Sequence, residues 1–362
     1  MRVLVDIGHP AHVHLFKNVA LSMQKKGHEF LFTCREKEFE IELLEANGLK
    51  YVSFGKKRNG LLGKALGMLE FDYKEWKTAR KFKPDFLMSH GSIYSAHAAF
   101  AIGKPHIALE DTYNFEQVNL YLPFSKYVLT ADYKHPLSTH KKNLSYNGYH
   151  ELAYLHPNWF QPDPGVLKDI GVGENEKYVI LRFVSWKATH DVGHKGISYE
   201  RKLEAIERFS KYARVFISSE SELPEELKKY KLEVAPEKMH DVMSFASLLW
   251  AESFTMPAEC SVLGTPSIIM HNTRSLYLKE QEEVYDLCYN FTESDGDQLK
   301  AIDKGEEILK QLDLRADWQE KKNKLLQDKC DVAAFLEWFL TEYPNSVNAL
   351  KSNPNEVLKQ FS

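Results

Sequence analysis

Residues 236–270, PEKMHDVMSFASLLWAESFTMPAECSVLGTPSIIM, contain the pattern that decides the fold class. Their apolar spacing predicts a helix, then a short buried strand over 248–251, a loop of small residues and a second helix from about Ala258. A turn at Gly264 leads into another apolar strand over 267–270. Two apolar strands joined by a helix are typical of a parallel α/β sheet.

The loop between this strand and the second helix has the features of an anion site. Pro257 suits the first turn of a helix, and the backbone N–H groups before it lie at the positive end of the helix dipole. Glu259 follows one turn later, where its carboxylate can accept hydrogen bonds from ribose hydroxyls. An ordinary strand–helix crossover, with an acid that balances the dipole, gives the same pattern, so the loop alone leaves both interpretations open.

Length and charge limit the class of protein. The chain has 362 residues, enough for two domains, and its net charge is −4. This charge argues against nucleic acid as the main partner, because no domain has a positive surplus to neutralise phosphates. Four scattered cysteines without a CxxC pair fit a reducing compartment and give no indication of a zinc site. The start MRVLVDIGHP is typical of a strand rather than a signal peptide, and no apolar run is long enough to span a bilayer, so we expect a cytoplasmic protein.

The alternation of strand and helix patterns along the sequence predicts two similar domains. Strands alternate with helices from residue 3 onward, with 126–130 as the last strand of the first half, and the pattern restarts after a segment rich in proline, glycine and aspartate. The dinucleotide fingerprint GxGxxG is absent. We expect a first doubly wound domain over residues 1–156, a linker over 157–175, a second domain over 176–330, and, over 331–362, a helix that packs back on the first domain followed by a mobile tail.

Three predicted strand ends in the first half carry polar side chains. These clusters are Gly8 with His9, then His90, Gly91 and Ser92, then Glu110, Asp111 and Thr112. In open α/β sheets, ligands bind outside the carboxyl ends of the strands. The convergence of three polar clusters on one edge therefore predicts a ligand site, and His9 is the histidine that we most expect to contact the substrate.

Two further segments each leave alternatives open. Residues 55–83 mix basic and leucine side chains, which suits either a helix that covers the sheet or peripheral contact with the anionic inner face of a membrane. Residues 184–198 contain His190, Asp191 and His194, but the glycines nearby favour a loop that closes on a ligand, and no third metal ligand is evident. We therefore expect no metal and no cofactor.

The two predicted domains, with the strand, loop and helix around Glu259, resemble the GT-B superfamily. The chain looks most like an uncharacterised bacterial and archaeal family of that superfamily, beside MurG-type glycosyltransferases and the non-hydrolysing UDP-N-acetylglucosamine 2-epimerases. The resemblance covers about residues 1–340. Its most specific parts are Asp6-Ile7-Gly8-His9-Pro10 with His12, Ser89-His90-Gly91-Ser92, Leu109-Glu110-Asp111-Thr112, and residues 252–266.

This resemblance implies two Rossmann-like domains that face each other across a cleft, the second of which binds a nucleotide-sugar. It implies a donor site formed by Arg182, Ser185, Trp186, Ser253, Phe254, Thr255, Met256 and Glu259. It implies an acceptor side formed by Gly8, His12, His90, Gly91, Ser92 and His190. Two departures are plain: Ser92 stands where the epimerases carry an aspartate, and Gly8-His9-Pro10-Ala11-His12 replaces the glycine-rich first loop of MurG.

The resemblance further implies metal-independent glycosyl transfer from a nucleotide-sugar, which we expect to be linked to uridine diphosphate, to a cell-surface glycan or lipid-linked acceptor. We expect His9 to be the general base, with Asp111 or Glu110 orienting or replacing it. A 2-epimerase or hydrolase that acts on the same donor is an alternative, and a sugar-nucleotide-binding protein without catalysis is another.

Overall fold

The computed structural model describes residues 1–56, 61–184 and 196–362, and within these ranges it does not describe the side chains of residues 61–65. The chain divides into two compact units, each built around a parallel sheet. Unit 1 comprises Met1–Trp159 and Lys329–Ser362, and unit 2 comprises Phe160–Asp328. The predicted fold class, two α/β domains with parallel sheets, is confirmed.

Unit 1 contains a seven-stranded sheet within the described ranges, with the order β3-β2-β1-β4-β5-β6-β7 and parallel pairing throughout. The apolar run of β1 is buried almost completely, as expected for a central strand covered on both faces. The strands are β1 Arg2–Ile7, β2 Glu29–Cys34, β3 Tyr51–Ser53, β4 Phe86–His90, β5 His106–Glu110, β6 Tyr127–Ala131 and β7 Asn143–Tyr146.

Helices connect these strands, and the C-terminal helices complete unit 1. They are α1 Pro10–Lys25, α2 Glu40–Ala46, α3 Leu61–Phe82, α4 Ile93–Ile102, α5 Phe115–Tyr121, α6 Leu152–Leu155, α14 Val332–Thr341, α15 Asn345–Ser352 and α16 Pro354–Leu358. Helix α14 packs against α1 and α6, and the ring of Phe335 stacks on that of Tyr146 at the end of β7. The last helices of the chain therefore form part of the first unit.

Unit 2 contains a parallel five-stranded sheet with the order β12-β11-β10-β8-β9 among its described residues. Its strands are β8 Tyr178–Phe183, β9 Arg214–Ser219, β10 Leu248–Ala251, β11 Ser267–Met270 and β12 Cys288–Phe291. Its helices are α7 Val166–Asp169, α8 Tyr199–Phe209, α9 Met239–Phe245, α10 Thr255–Leu263, α11 Leu276–Glu283, α12 Asp295–Leu309 and α13 Leu314–Asp328. Trp250 on β10 is fully buried against Phe209, which places β10 at the centre of this core.

Four local predictions differ from the structure. The prediction for the first half ended one strand early, since strand β7 follows the strand predicted to be the last. The sequence of β7, NLSY, alternates polar and apolar residues and so lacks the continuous apolar run that indicates a buried strand. Helix α10 begins at Thr255 rather than Ala258, so Pro257 lies within the first turn. Part of the predicted linker is helix α7, whose Val166 and Leu167 are buried. The stretch after Pro344, predicted to be a mobile tail, forms helices because its few apolar residues fall on a buried face.

Asp6 is a buried acid that connects three strands at the carboxyl edge of unit 1. Its carboxylate accepts two hydrogen bonds from Arg35 Nη1, at 2.6 and 2.8 Å, and one from Thr33 Oγ1 at 3.0 Å. Ser92 Oγ, which follows β4, donates to the same carboxylate. Arg35 is only 4% exposed, so this ion pair is removed from water and each charge depends on the other.

We predict that Asp6→Asn lowers the free energy of unfolding by about 3 kcal/mol, because it removes the carboxylate to which the buried Arg35 guanidinium donates hydrogen bonds of 2.6 and 2.8 Å. Urea denaturation followed by circular dichroism measures the change. Glu283→Gln is the matched control: it removes the acid of the exposed Lys279–Glu283 pair and should cost less than about 0.5 kcal/mol. Equal losses in the two variants would contradict this account of Asp6.

Candidate active site

The loop after β1 places two histidines at the start of α1. His9 caps the helix, since its Nδ1 accepts a hydrogen bond from the Ala11 N–H at 3.2 Å. His12 Nδ1 accepts one from the Gly8 N–H at 3.2 Å. A neutral imidazole whose Nδ1 accepts carries its proton on Nε2. Both histidines therefore present an N–H donor at Nε2.

The local environment keeps both of these histidines neutral. Burial lowers the pKa of His9, although the Glu38 carboxylate, 3.9 Å from His9 Nε2, opposes this shift. Burial and the neighbouring His90 hold the pKa of His12 well below its usual range. A general base needs an unprotonated nitrogen facing the acceptor, and the Nε2 of His9 is protonated in this arrangement. The geometry therefore suits His9 as a hydrogen-bond donor better than as the predicted general base.

Asp111 bridges two histidines that come from other strand ends. Its Oδ1 lies 2.8 Å from His90 Nε2, and its Oδ2 lies 3.2 Å from His150 Nδ1. The ring of His12 stacks on that of His90 with centroids 4.6 Å apart. The structure thus brings the predicted residues His12, His90 and Asp111 together and adds His150, which the sequence analysis missed.

Charge is separated within this cluster. Burial favours the neutral form of His90, but its ion pair with Asp111 raises the pKa of His90 to about 9. Burial also favours the neutral form of Asp111, but the two histidines hold the pKa of Asp111 well below its usual range. At neutral pH, an imidazolium and a carboxylate therefore lie side by side, next to the neutral His12.

The other predicted residues of this edge support the cluster structurally. Glu110 accepts hydrogen bonds from the Tyr113 N–H at 3.0 Å and from the Tyr121 hydroxyl at 2.7 Å. Gly91 has φ +55°, and a Cβ there would lie 3.2 Å from the Glu110 carboxylate. Ser92 caps α4 and donates to the buried Asp6. Glu110 is thus engaged by its own loop, which suits a positioning role better than the predicted catalytic one.

In unit 2, the predicted donor loop forms the start of α10. Its first turn contains no acid, and no side chain in the described part of the protein caps it. The hydrogen bonds of the helix begin with the Ala258 N–H, which donates to Phe254 O at 3.1 Å. The N–H groups of Thr255 and Met256 therefore belong to the end of the helix that attracts anions. Ser253 Oγ lies beside them, buried and without a hydrogen-bond partner among the described residues.

Glu259 lies on α10, but its carboxylate faces a histidine. Its Oε1 is 3.0 Å from His240 Nε2, and both side chains are almost completely buried. Arg182, at the end of β8, donates to Ser218 Oγ in the neighbouring strand β9 at 3.0 Å and to Glu220 Oε1, directly after β9, at 2.6 Å. Contact of these two residues with a donor stays a prediction, and Ser185, Trp186 and His190 lie outside the described residues.

Glu252 is a second residue that the sequence analysis missed. It directly follows β10, and its buried carboxylate accepts hydrogen bonds from the Ile197 N–H at 2.6 Å and the Val184 N–H at 3.0 Å. Lys202 Nζ lies 3.1 Å from the same carboxylate. Glu252 thus holds the two points at which the chain leaves β8 and approaches α8. An acid that ends an apolar strand, LLWAE, was the available signal.

Helix α3 covers most of residues 55–83, the segment for which a helix covering the sheet and peripheral membrane contact were the two alternatives. Leu66, Leu69 and Tyr73 are exposed at spacings of three and four residues, so they share one side of the helix. Residues 57–60, which include two of the basic side chains, lie outside the described residues. Within the described ranges, every helix is too short or too polar to span a membrane. Peripheral contact stays a prediction.

The chain belongs to the family described as "Protein of unknown function (DUF354)", whose model matches residues 1–334. It is also similar to the uncharacterised protein MJ0665 of Methanocaldococcus jannaschii. The two sequences are 23% identical over 287 residues, which cover 74% of this chain and 80% of that protein.

Solved structures with the same architecture include an epimerase and a glycosyltransferase. The UDP-GlcNAc 2-epimerase from Neisseria meningitidis, solved bound to UDP-GlcNAc, has a TM-score of 0.66 and 15% identity over 94% of this chain and 100% of that chain. Glycosyltransferase VinC, solved in complex with DTDP, has a TM-score of 0.62 and 12% identity over 97% of this chain and 100% of that chain. At such low identity these similarities establish the fold alone, and they confirm the predicted GT-B-like fold.

We predict that Glu252→Gln lowers the free energy of unfolding by about 2 kcal/mol, because the amide provides one acceptor oxygen where the carboxylate provides two, and it removes the counter-charge of Lys202. The urea midpoint of the variant measures this loss. Glu233→Gln serves as the control, since Glu233 is exposed and pairs only with the exposed Lys231 in the described structure. An unchanged midpoint for Glu252→Gln would exclude the proposed structural role of its carboxylate.

Proposed function

We propose that this protein transfers a sugar from a uridine diphosphate-linked donor to a hydroxyl of a glycan or lipid-linked acceptor. The observation that carries the proposal is the start of α10, which has no side-chain cap among the described residues and follows Ser253, whose buried Oγ has no hydrogen-bond partner there. A helix start of this kind favours phosphate oxygens. The GT-B-like fold of the whole chain supports the same assignment.

In this proposal, unit 2 binds the nucleotide part of the donor. The N–H groups of Thr255 and Met256 and the hydroxyl of Ser253 contact the diphosphate. Negative charge on the diphosphate grows as the sugar leaves. N–H and O–H groups that are already fixed in place therefore stabilise the departing diphosphate more than they stabilise the intact nucleotide-sugar. We assign the ribose hydroxyls to Glu259, whose carboxylate also contacts His240.

Unit 1 supplies the groups that act on the sugar and the acceptor. His9 and His12 donate through Nε2, and such donors orient an acceptor hydroxyl or stabilise an oxygen that gains negative charge. His90 and Asp111 contribute an acid and a carboxylate in contact with each other. We therefore assign binding of the nucleotide to unit 2 and the acid–base groups to unit 1.

One observation favours a second candidate, an epimerase or hydrolase that acts on the same donor. His90 Nε2 lies 2.8 Å from the Asp111 carboxylate, so an acid and a carboxylate, the two kinds of group that a proton exchange at a sugar carbon needs, are in contact. This reaction needs no acceptor. If the nucleotide-sugar alone gives a product with solvent deuterium at a sugar carbon, the epimerase replaces the transferase proposal. If the protein binds nucleotide-sugars but turns over none under any condition, it is a binding protein.

We predict that the purified protein binds at least one member of a panel of nucleotide-sugars in isothermal titration calorimetry, and that Ser253→Ala weakens binding about fivefold by removing one hydrogen bond to the diphosphate. Ser294→Ala is the matched control. It changes a serine at the start of another helix of unit 2, whose hydroxyl already caps that helix, and should leave affinity unchanged. If no nucleotide-sugar binds, the proposal fails.

We predict that His9→Ala lowers kcat about 10- to 100-fold with little change in donor affinity, whereas His9→Asn keeps more of the rate. Asparagine can cap α1 and donate a hydrogen bond, but it cannot act as a base. Steady-state kinetics with saturating donor compare the two variants. Equal, severe losses in both would restore the general-base role, and full activity of His9→Ala would remove His9 from the mechanism.

A further inference from the structure

The cluster around Asp111 has the composition of a transition-metal site. His90, Asp111 and His150 each offer one ligand atom, and these three atoms lie within 4.8 Å of one another. The ligands of a tetrahedral zinc ion are about 3.4 Å apart, since each lies about 2.1 Å from the metal. The 2.8 and 3.2 Å distances from Asp111 to the two imidazoles therefore approach the spacing that coordination needs.

The backbone fixes these three residues independently of any ion. His90 is the last residue of β4, Asp111 directly follows β5, and His150 lies four residues beyond the end of β7. The Tyr133 hydroxyl donates to the main-chain oxygen of Asp111 at 3.0 Å. Because the ligands come from the ends of strands in one sheet, binding would require only small side-chain movements.

Hydrogen bonding alone does not satisfy the polar groups of the cluster. His150 is buried, and when its Nδ1 faces Asp111 its Nε2 has no hydrogen-bond partner among the described residues. The hydroxyl of Tyr146, whose ring stacks on that of His150 with centroids 6.4 Å apart, has none there either. Buried polar groups are almost always satisfied, so these two groups indicate a further polar species near His150, apart from the ligand atom Nδ1 that faces Asp111.

We propose that His90, Asp111 and His150 form a binding site for a divalent first-row transition ion. Binding releases the Nε2 proton of His90, so that the acid role of His90 and metal ligation exclude each other. Two imidazoles with one carboxylate match the ligand sets of zinc and non-haem iron, whereas magnesium and calcium prefer oxygen ligands throughout. Three protein ligands leave at least one coordination position for water or substrate. The expectation of a metal-independent protein would then be wrong for unit 1.

The test uses the full-length protein without a histidine tag, stripped with a chelator and dialysed. Titration with Co²⁺ should give the visible absorption of a four- or five-coordinate ion, saturate at one ion per chain and show no sulfur charge-transfer band. One equivalent of Zn²⁺ should displace the cobalt and raise the melting temperature, because it binds only the folded state. No donor or acceptor is present, so this result is independent of the proposed transferase activity.

Variants locate the ion. Asp111→Asn and His150→Gln should each weaken Co²⁺ binding at least about 100-fold, and circular dichroism shows whether each is folded. His97→Asn is the matched control, because His97 forms a His–Asp pair with Asp72 at 3.1 Å in the same unit but outside the proposed site. Absence of binding to the wild type, or equal binding to the wild type and a folded Asp111→Asn or His150→Gln variant, overturns the proposal.

Discussion

Carboxylates at the carboxyl ends of parallel strands, largely or wholly removed from water, organise both units of this protein. Leaving such a charge unpaired costs about 3–5 kcal/mol, so each acid must gather donors from the loops around it. Asp6 accepts hydrogen bonds from Arg35 and the Ser92 hydroxyl. Glu252 accepts hydrogen bonds from the Val184 and Ile197 N–H groups, on the two sides of the segment that follows β8. The loops at the edge of a sheet where ligands bind are thereby fixed before any ligand arrives.

The same constraint separates charge at the edge of unit 1. His12 and His90 stack on each other, yet one is neutral and the other protonated, because within the described ranges Asp111 forms its ion pair with His90 and not with His12. The backbone sets the tautomer of His9 and His12 through hydrogen bonds to Nδ1. The neighbours of each histidine thus decide whether its imidazole is a neutral hydrogen-bond donor or a cation. What this edge can do chemically therefore depends on the partners of the histidines more than on their number.

The sequence predicted the parallel sheets and the polar strand ends because both depend on local patterns: apolar runs, and polar residues directly after them. It did not reveal His150, because β7, the outermost strand of the sheet, has a short alternating sequence that does not indicate a strand. Unless β7 is predicted, nothing in the sequence places His150 near the polar carboxyl ends of the strands. It also could not show that Glu110 would be engaged by Tyr121, because such partners are fixed only by tertiary packing. The C-terminal helices were hidden for a related reason: their polar composition obscured a buried face made of a few apolar residues.

The central claim is that the start of α10 holds the diphosphate of a nucleotide-linked donor. Hydrogen–deuterium exchange of the full-length protein, with and without a saturating uridine diphosphate, tests this claim directly. The account predicts slower exchange of the amides from Ser253 to Met256, with little change at the starts of α11 and α12 in the same unit. Unchanged exchange at the start of α10 while the nucleotide is bound elsewhere, or no binding at all, would contradict it.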